Sequence, residues 1–252
     1  MEPMSRTVTV EGAELHVEER GSGEPLLLLH GGAGSSGDWK HVFDLDALAA
    51  RFRVIAPDAR GHGRSTNPGG ELSFARWGRD VLAILDATGI ERVRAVGVSL
   101  GAKTLLHVTT LAPERVTAMI LVSATPRFPE ATRALFRQAA EAEHSPKEWE
   151  RMRAIHVHGD AQIAALWAMS RRFGDDPGDM NFTPERLGTI TAQTLIVSGD
   201  RDPFYPVELA VELYRGIPRA SLWVVPGGMH SPIFVSEREA FVREAMTFLG
   251  AH

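Results

Sequence analysis

None of the 252 residues is a cysteine, so disulfides, thiolate catalysis and cysteine-ligated metal are excluded, while the redox compartment stays open. Long hydrophobic runs are missing too. The longest fall far short of the ~20 residues a membrane-spanning helix needs. Met1 to Arg6 shows no apolar signal segment, so a soluble, cytoplasmic protein is expected. No basic block occurs and the formal net charge is -5, which argues against a nucleic-acid partner. There is no internal repeat or low-complexity segment. With 44% hydrophobic and 23% charged residues, disordered and fibrous classes drop out. The length suits one substantial core rather than two full domains.

The chemistry centres on Arg94 to Leu105. The apolar run Val93 to Val98 reads as a buried strand, and the residues after Gly101 read as a helix, which puts Ser99 in the turn between them. Gly97, Ser99 and Gly101 spell G-x-S-x-G, the nucleophile elbow. Such a sharp turn strains the serine backbone and brings strand and helix too close for side chains at the flanking positions. The spelling alone also fits a turn without chemistry; the strand before it and the helix after it supply the required context.

Around the elbow, strands and helices alternate. Val8 and Val10, then Leu15 and Val17, suggest a hairpin about Glu11-Gly12. Leu26 to Leu29, Arg53 to Pro57, Val116 to Val122, Thr194 to Val197 and Ser221 to Val225 read as further strands. Helical spacing is expected over Trp39 to Ala50, from Phe74 to a stop at Gly89, over Ala102 to Leu111 and over Val207 to Tyr214, with a last helix carrying Phe241, Ala245 and Phe248. This order implies an α/β fold with a parallel sheet covered on both faces. Between Ala124 and Leu187 no strand is expected; three amphipathic helices there suggest an insertion over the carboxyl edge of the sheet, where open α/β folds bind ligands. The expected division is a core of 1–123 and 188–252 with a helical cap at 124–187.

The strand ends supply the groups a serine nucleophile needs, a base and a carboxylate to orient it. Along the chain the order is Ser99, then Asp200 or Asp202, then His230. Ser123 to Pro126, after the preceding strand, offers no carboxylate; Asp202 is preferred because it lies farther into its loop, while Asp200 can be used to shape the turn. Three glycines in His30-Gly31-Gly32-Ala33-Gly34 let backbone N–H groups converge as an oxyanion hole requires. His62 and His107 are expected to be structural. His156 and His158 with Asp160 spell H-x-H-x-D, which some zinc hydrolases use, but Ala161 stands where those carry another histidine, so a polar helix end or substrate contact is favoured and no metal is expected. The acidic run Asp175 to Asp179 lacks EF-hand spacing and reads as a solvated hinge loop.

Five segments in this order, His30 to Gly34, Asp58 to Ser65, Gly97 to Gly101, Gly199 to Asp202 and Gly228 to His230, make the chain resemble the α/β-hydrolase superfamily over essentially its whole length. The resemblance implies an eight-stranded, mostly parallel sheet, a helical cap, and a cofactor-free triad of Ser99, Asp202 and His230. It also implies oxyanion donors at the backbone N–H groups of Gly32 and Leu100. Superfamily members that open epoxides or remove halide carry Asp where Ser99 stands, so those activities are disfavoured. Lys103 departs from the usual Gly or Ala, and its role, surface charge or cap contact, stays open.

Cleavage of a carboxylic ester or lactone through an acyl-enzyme is the leading expectation. Phe128, Trp149, Trp167, Met169 and Met229 are candidate substrate contacts, with Phe173 also in the cap. The Trp149 to Met152 and Met180 to Glu185 segments resemble those of serine-dependent macrolide esterases, which implies a macrolactone substrate. The alternatives are a carbon–carbon bond hydrolase or perhydrolase using the same triad, and a hydrolase-fold receptor with little turnover. Activity is expected to fall as His230 becomes protonated. The remaining expectations are a small-molecule substrate, no membrane or nucleic-acid partner, and a monomer or homodimer.

Overall fold

A period of two in the apolar strands builds both faces of the sheet. In Leu26 to Leu29, Leu27 and Leu29 enter one core while Leu26 and Leu28 enter the other, and Ala95, Leu121 and Ile196 oppose Val96, Ile120 and Val197 in the same way. The computed structural model describes residues 4–70, 72–234 and 237–250. In order the chain forms β1 (Met4–Val10), β2 (Ala13–Arg20), β3 (Glu24–Leu29), α1 (Leu45–Ala49), β4 (Phe52–Pro57), α2 (Phe74–Ala87), β5 (Val93–Val98), α3 (Leu100–Leu111) and β6 (Val116–Val122). Helices α4 (Glu130–Glu141), α5 (Pro146–Ile155), α6 (Asp160–Asp175) and α7 (Pro184–Leu187) follow. The chain closes with β7 (Gln193–Gly199), α8 (Val207–Gly216), β8 (Ala220–Val225) and α9 (Arg238–Phe248).

The eight strands lie in the order β1-β2-β4-β3-β5-β6-β7-β8. From β4 onward neighbours are parallel, while β2 runs antiparallel to both β1 and β4. The hairpin turns at Glu11 and Gly12, both at positive φ. Helices α2 and α3 pack together on one face through Trp77, Val81, Ile84 and Leu105; α1 and α9 cover the other with Leu48, Phe241 and Ala245. Among the described residues no helix is long and apolar enough to cross a membrane.

The helix expected over Trp39 to Ala50 is broken. A 3₁₀ turn, Ser36–His41, ends near Val42, and Asp44 then caps α1 by accepting from the N–H groups of Asp46 and Ala47. That cap restarts the chain in a new direction, which hydrophobic spacing does not reveal. Helices α4, α5 and α6 occupy the stretch between β6 and β7. At its base the Phe182 N–H donates to Pro126 O (2.9 Å), and Arg127 bridges Asn181. Asp179 is not a solvated hinge residue, as its carboxylate accepts from Ala75 N–H in the first turn of α2.

Candidate active site

The elbow shows why its residues are needed. Ser99 sits at φ 49, ψ -99, a conformation that costs roughly 1–3 kcal/mol and persists only where its surroundings dictate it. A Cβ on Gly97 would lie 2.6 Å from the backbone of Gly101, and one on Gly101 would lie 2.1 Å from Leu29 O. Only hydrogen fits at either place. Ser99 N–H donates to Val122 O at 2.8 Å, which pins the turn to β6.

The other two groups arrive from the ends of β7 and β8. Asp202 Oδ1 accepts from the N–H groups of Phe204 (2.9 Å) and Tyr205 (3.1 Å), leaving Oδ2 for His230 Nδ1 at 2.7 Å. His230 Nε2 then lies 3.0 Å from Ser99 Oγ. With Nδ1–H donated to the carboxylate, Nε2 is the acceptor for the serine hydroxyl. Asp200 is exposed and its N–H donates to Val225 O, so it shapes the turn and stays away from His230. Ser123 at the end of β6 has a further part: its Oγ accepts from Ser231 N–H (2.9 Å), holding the loop that carries His230.

The loop after β3 faces the elbow. His30 Nε2 accepts from Ala59 N–H (2.9 Å), its Nδ1–H donates to Gly31 O (2.7 Å), and His30 O accepts from Gly101 N–H (3.1 Å). Gly32 and Leu100 therefore border the same cavity as Ser99. Leu100 opens α3, and first-turn N–H groups have no intrahelical acceptor. Among the described residues neither Gly32 N–H nor Leu100 N–H has a protein acceptor. Behind the loop, burial pushes the Asp58 carboxyl up, but His30 and the N–H groups of Arg64 and Ser36 outweigh it and hold it below the usual value.

The cavity measures about 220 Å³. Gly32, Ser99, Leu100, Lys103, Phe74 and Tyr205 come to it from the core, and Phe136, Leu166, Trp167, Met169 and Phe173 from the helices between β6 and β7. Of the expected contacts, Phe128, Trp167 and Met169 line it. Trp149 does not. It packs edge-to-face on Trp167 (centroids 4.4 Å) beside Met152 and Ile163, because a flat ring on the inner face of α5 meets α6 before it meets the cavity. Met229 is 58% exposed and also off the wall: with the His230 ring turned inward, its neighbour points to solvent.

Lys103 is not a surface charge: its ammonium lies over the ring of Phe128, in the 124–187 stretch, and beside the nucleophile. It is 3% exposed, donates to Tyr205 Oη at 2.9 Å, and its Nζ is 3.4 Å from Ser99 Oγ. Burial draws its ammonium down to about 7, against some attraction from Asp202. The sequence does hold the signal that would have placed it. It lies four residues after Ser99, on the same helical face, in a segment whose residues from Leu100 to Thr109 are all buried. Tyr205, which closes the Asp202 loop, carries no such signal.

Four further histidines hold structure. His62 is buried with Nδ1–H donated to Arg60 O, and burial, then His30, pulls it well below its ordinary value. His107 packs against Phe182, and burial followed by Arg186 lowers it to about 3. His156 Nδ1 accepts from Gly63 N–H at 2.9 Å and its Nε2–H donates to Ala33 O at 3.3 Å, while His158 Nε2 meets Arg64 O at 2.9 Å. These two anchor α5 and α6 to the loops after β3 and β4. Among the described residues no three metal-binding side chains converge.

Known proteins share this arrangement over long stretches. The family described as alpha/beta hydrolase fold matches residues 24–154. RutD of Variovorax paradoxus, whose name assigns it provisionally to carbamate hydrolysis, is 31% identical, with 93% of this chain and 96% of that protein aligned. The 2-hydroxy-6-oxo-6-phenylhexa-2,4-dienoate hydrolase of Burkholderia cepacia is 28% identical over 93% of this chain and 91% of its own. The crystal structure of an esterase from a Rhodococcus species superimposes with a TM-score of 0.75 at 26% identity, covering 99% of both chains. With a family match over more than half its length and a relative above 30% identity along almost all of it, this chain belongs to the α/β-hydrolase family and is a hydrolase.

Proposed function

We propose that the protein is a serine hydrolase that cleaves a carboxylic ester or lactone through an acyl-enzyme on Ser99. The observation that carries this reading is the line from Ser99 Oγ through His230 to Asp202, at 3.0 and 2.7 Å, beside a cavity walled largely by apolar side chains. Ser99 Oγ attacks the carbonyl carbon as its proton passes to His230 Nε2, and the oxyanion is met by the N–H groups of Leu100 and Gly32. His230 returns the proton to the departing alcohol oxygen. A water then repeats the sequence on the acyl-enzyme, freeing the acid and restoring the serine. Asp202, fixed by two backbone N–H groups, keeps His230 in the required tautomer and stabilises the imidazolium.

The cavity supports a small acyl group. Sites for drug-sized ligands span roughly 300–1,000 Å³, and a cavity of about 220 Å³ is smaller. A macrolactone would enter only with the helices between β6 and β7 displaced. A second reading, hydrolysis of a carbon–carbon bond in a ring-fission diketone, is favoured by the similarity to the Burkholderia cepacia hydrolase. Both readings use the same serine.

The test is intact-protein mass after exposure to a small fluorophosphonate, on the native chain and on Ser99→Ala. Stoichiometric labelling that disappears in the variant is expected. Absence of labelling in folded protein, or ester turnover retained by Ser99→Ala, refutes the serine reading. A panel of short esters, lactones and ring-fission 1,5-diketones then separates the two chemistries.

A further inference from the structure

The acyl-transfer steps above do not use Lys103, yet it is the buried cation nearest the nucleophile. Among the described residues its polar neighbours are Tyr205 Oη and Ser99 Oγ. The faces of Phe74, Phe128 and Tyr205 surround Nζ at 5.2, 5.9 and 4.8 Å from their centroids. Ring faces offset only part of the desolvation of an ammonium. Asp202 does not complete the pairing, because both of its oxygens are engaged by His230 and by the N–H groups of Phe204 and Tyr205. The low value to which burial brings Lys103 has the same origin: a desolvated cation with no anion hydrogen-bonded to it among the described residues.

A buried ammonium that opens onto a ligand cavity is completed by an acceptor from the ligand. We propose that Lys103 is the specificity residue of the acyl pocket and that it receives the carboxylate of a short dicarboxylic acyl group, so that half-esters are preferred over neutral esters of equal length. The inference rests on the serine-hydrolase reading. The position of Lys103 sets the length. The carbonyl carbon bonds to Ser99 Oγ, and Nζ is 3.4 Å from that atom, so an oxygen reaching Nζ belongs to a group only two or three carbons away. The choice of side follows from His230, which approaches Oγ from the loop after β8 and returns the proton to the alcohol. Lys103 approaches from α3 and is left the acyl side. Tyr205 Oη takes one ammonium proton and leaves others for the carboxylate. The apolar walls Phe128, Phe136 and Phe173 lower the polarity around the single charged contact, which strengthens it and disfavours a carboxylate placed elsewhere on the substrate.

The experiment measures binding, so that it is read independently of turnover. Ser99→Ala and Ser99→Ala/Lys103→Met are titrated calorimetrically with monoethyl malonate, monoethyl succinate and ethyl butyrate near neutral pH. In Ser99→Ala at least one half-ester is expected to bind about tenfold more tightly than ethyl butyrate, the gain of one charge-assisted contact. In the double variant this advantage falls to about twofold or less. Equal affinities in Ser99→Ala overturn the proposal without any lysine variant, and so does an advantage that survives Lys103→Met. Tighter binding of acetoxyacetate, which carries its carboxylate on the alcohol side, overturns the placement. If Lys103→Met does not fold, Lys103→Gln, which keeps a neutral donor, takes its place and must lose the advantage in the same way. The serine reading fails separately, through absent fluorophosphonate labelling, while the binding preference of Ser99→Ala can still hold.

Discussion

Replacing Lys103 by methionine is expected to stabilise the protein, and by an amount that depends on pH. The lysine is held at about 7 in the folded chain against 10.5 unfolded. At 1.36 kcal/mol per pKa unit, burying the charged form costs roughly 5 kcal/mol below that range. Methionine follows much of the lysine stem without the charge, but leaves Tyr205 Oη short of one partner, a loss of roughly 1–3 kcal/mol. The variant is therefore expected to be more stable by roughly 2–4 kcal/mol near pH 6. The slope has the same sign as for a carboxylate held below its ordinary value. Because the folded value lies below the unfolded one, between about 7 and 10.5 the unfolded chain keeps a proton that the folded chain has released, and wild-type stability rises with pH. By about pH 9 the penalty shrinks to roughly 2 kcal/mol, so the advantage of the variant falls by roughly 3 kcal/mol. Urea unfolding of both proteins near pH 6 and pH 9, at equal m-values, measures this directly. A variant less stable than wild type near pH 6, or a difference that does not change between the two pH values, refutes the reasoning that the cation is buried without compensation.

Two further outcomes follow from the same structure. Gly101→Ala is expected to lose several kcal/mol of stability and most fluorophosphonate labelling, because its methyl would meet Leu29 O at 2.1 Å and push β5 from α3; near-native melting and labelling would contradict that packing. Acid is expected to unfold the protein steeply. His62, His107 and His156 are each lowered first by burial, His107 to about 3, so below the ordinary 6.5 the unfolded chain binds protons that the folded chain does not. Stability then falls by up to roughly 4 kcal/mol per pH unit where all three contribute. Unfolding free energies measured from about pH 7 down to pH 5 give that slope, and a flat profile would contradict it.

The α/β plan was legible because it is local. Apolar runs such as Leu26 to Leu29 form strands buried on both faces, and glycines at 97 and 101 are required by contacts with the adjoining backbone. The choice of Asp202 over Asp200 was legible as well, since depth in the loop decides which carboxylate turns inward and which is spent on the turn. The hydrophobic period over Trp39 to Ala50 reads as one helix, but one capping side chain, Asp44, outweighs it. Trp149 and Met229 lie off the cavity wall for another reason. Bulk and apolarity say that a side chain seeks cover but do not say what covers it.

By itself the sequence determined the order of strands and helices, the strained serine between two glycines, and the succession of serine, acid and histidine at strand ends, all properties of short segments and their spacing. The tertiary structure alone decided what surrounds that serine. Lys103 and Tyr205 are separated by 102 residues and meet only because α3 and the loop after β7 pack side by side at the carboxyl edge of the sheet. His156 meets Gly63 only because α5 lies across the loop after β4. Such contacts depend on how the layers settle, which burial over the whole chain decides and no local period encodes.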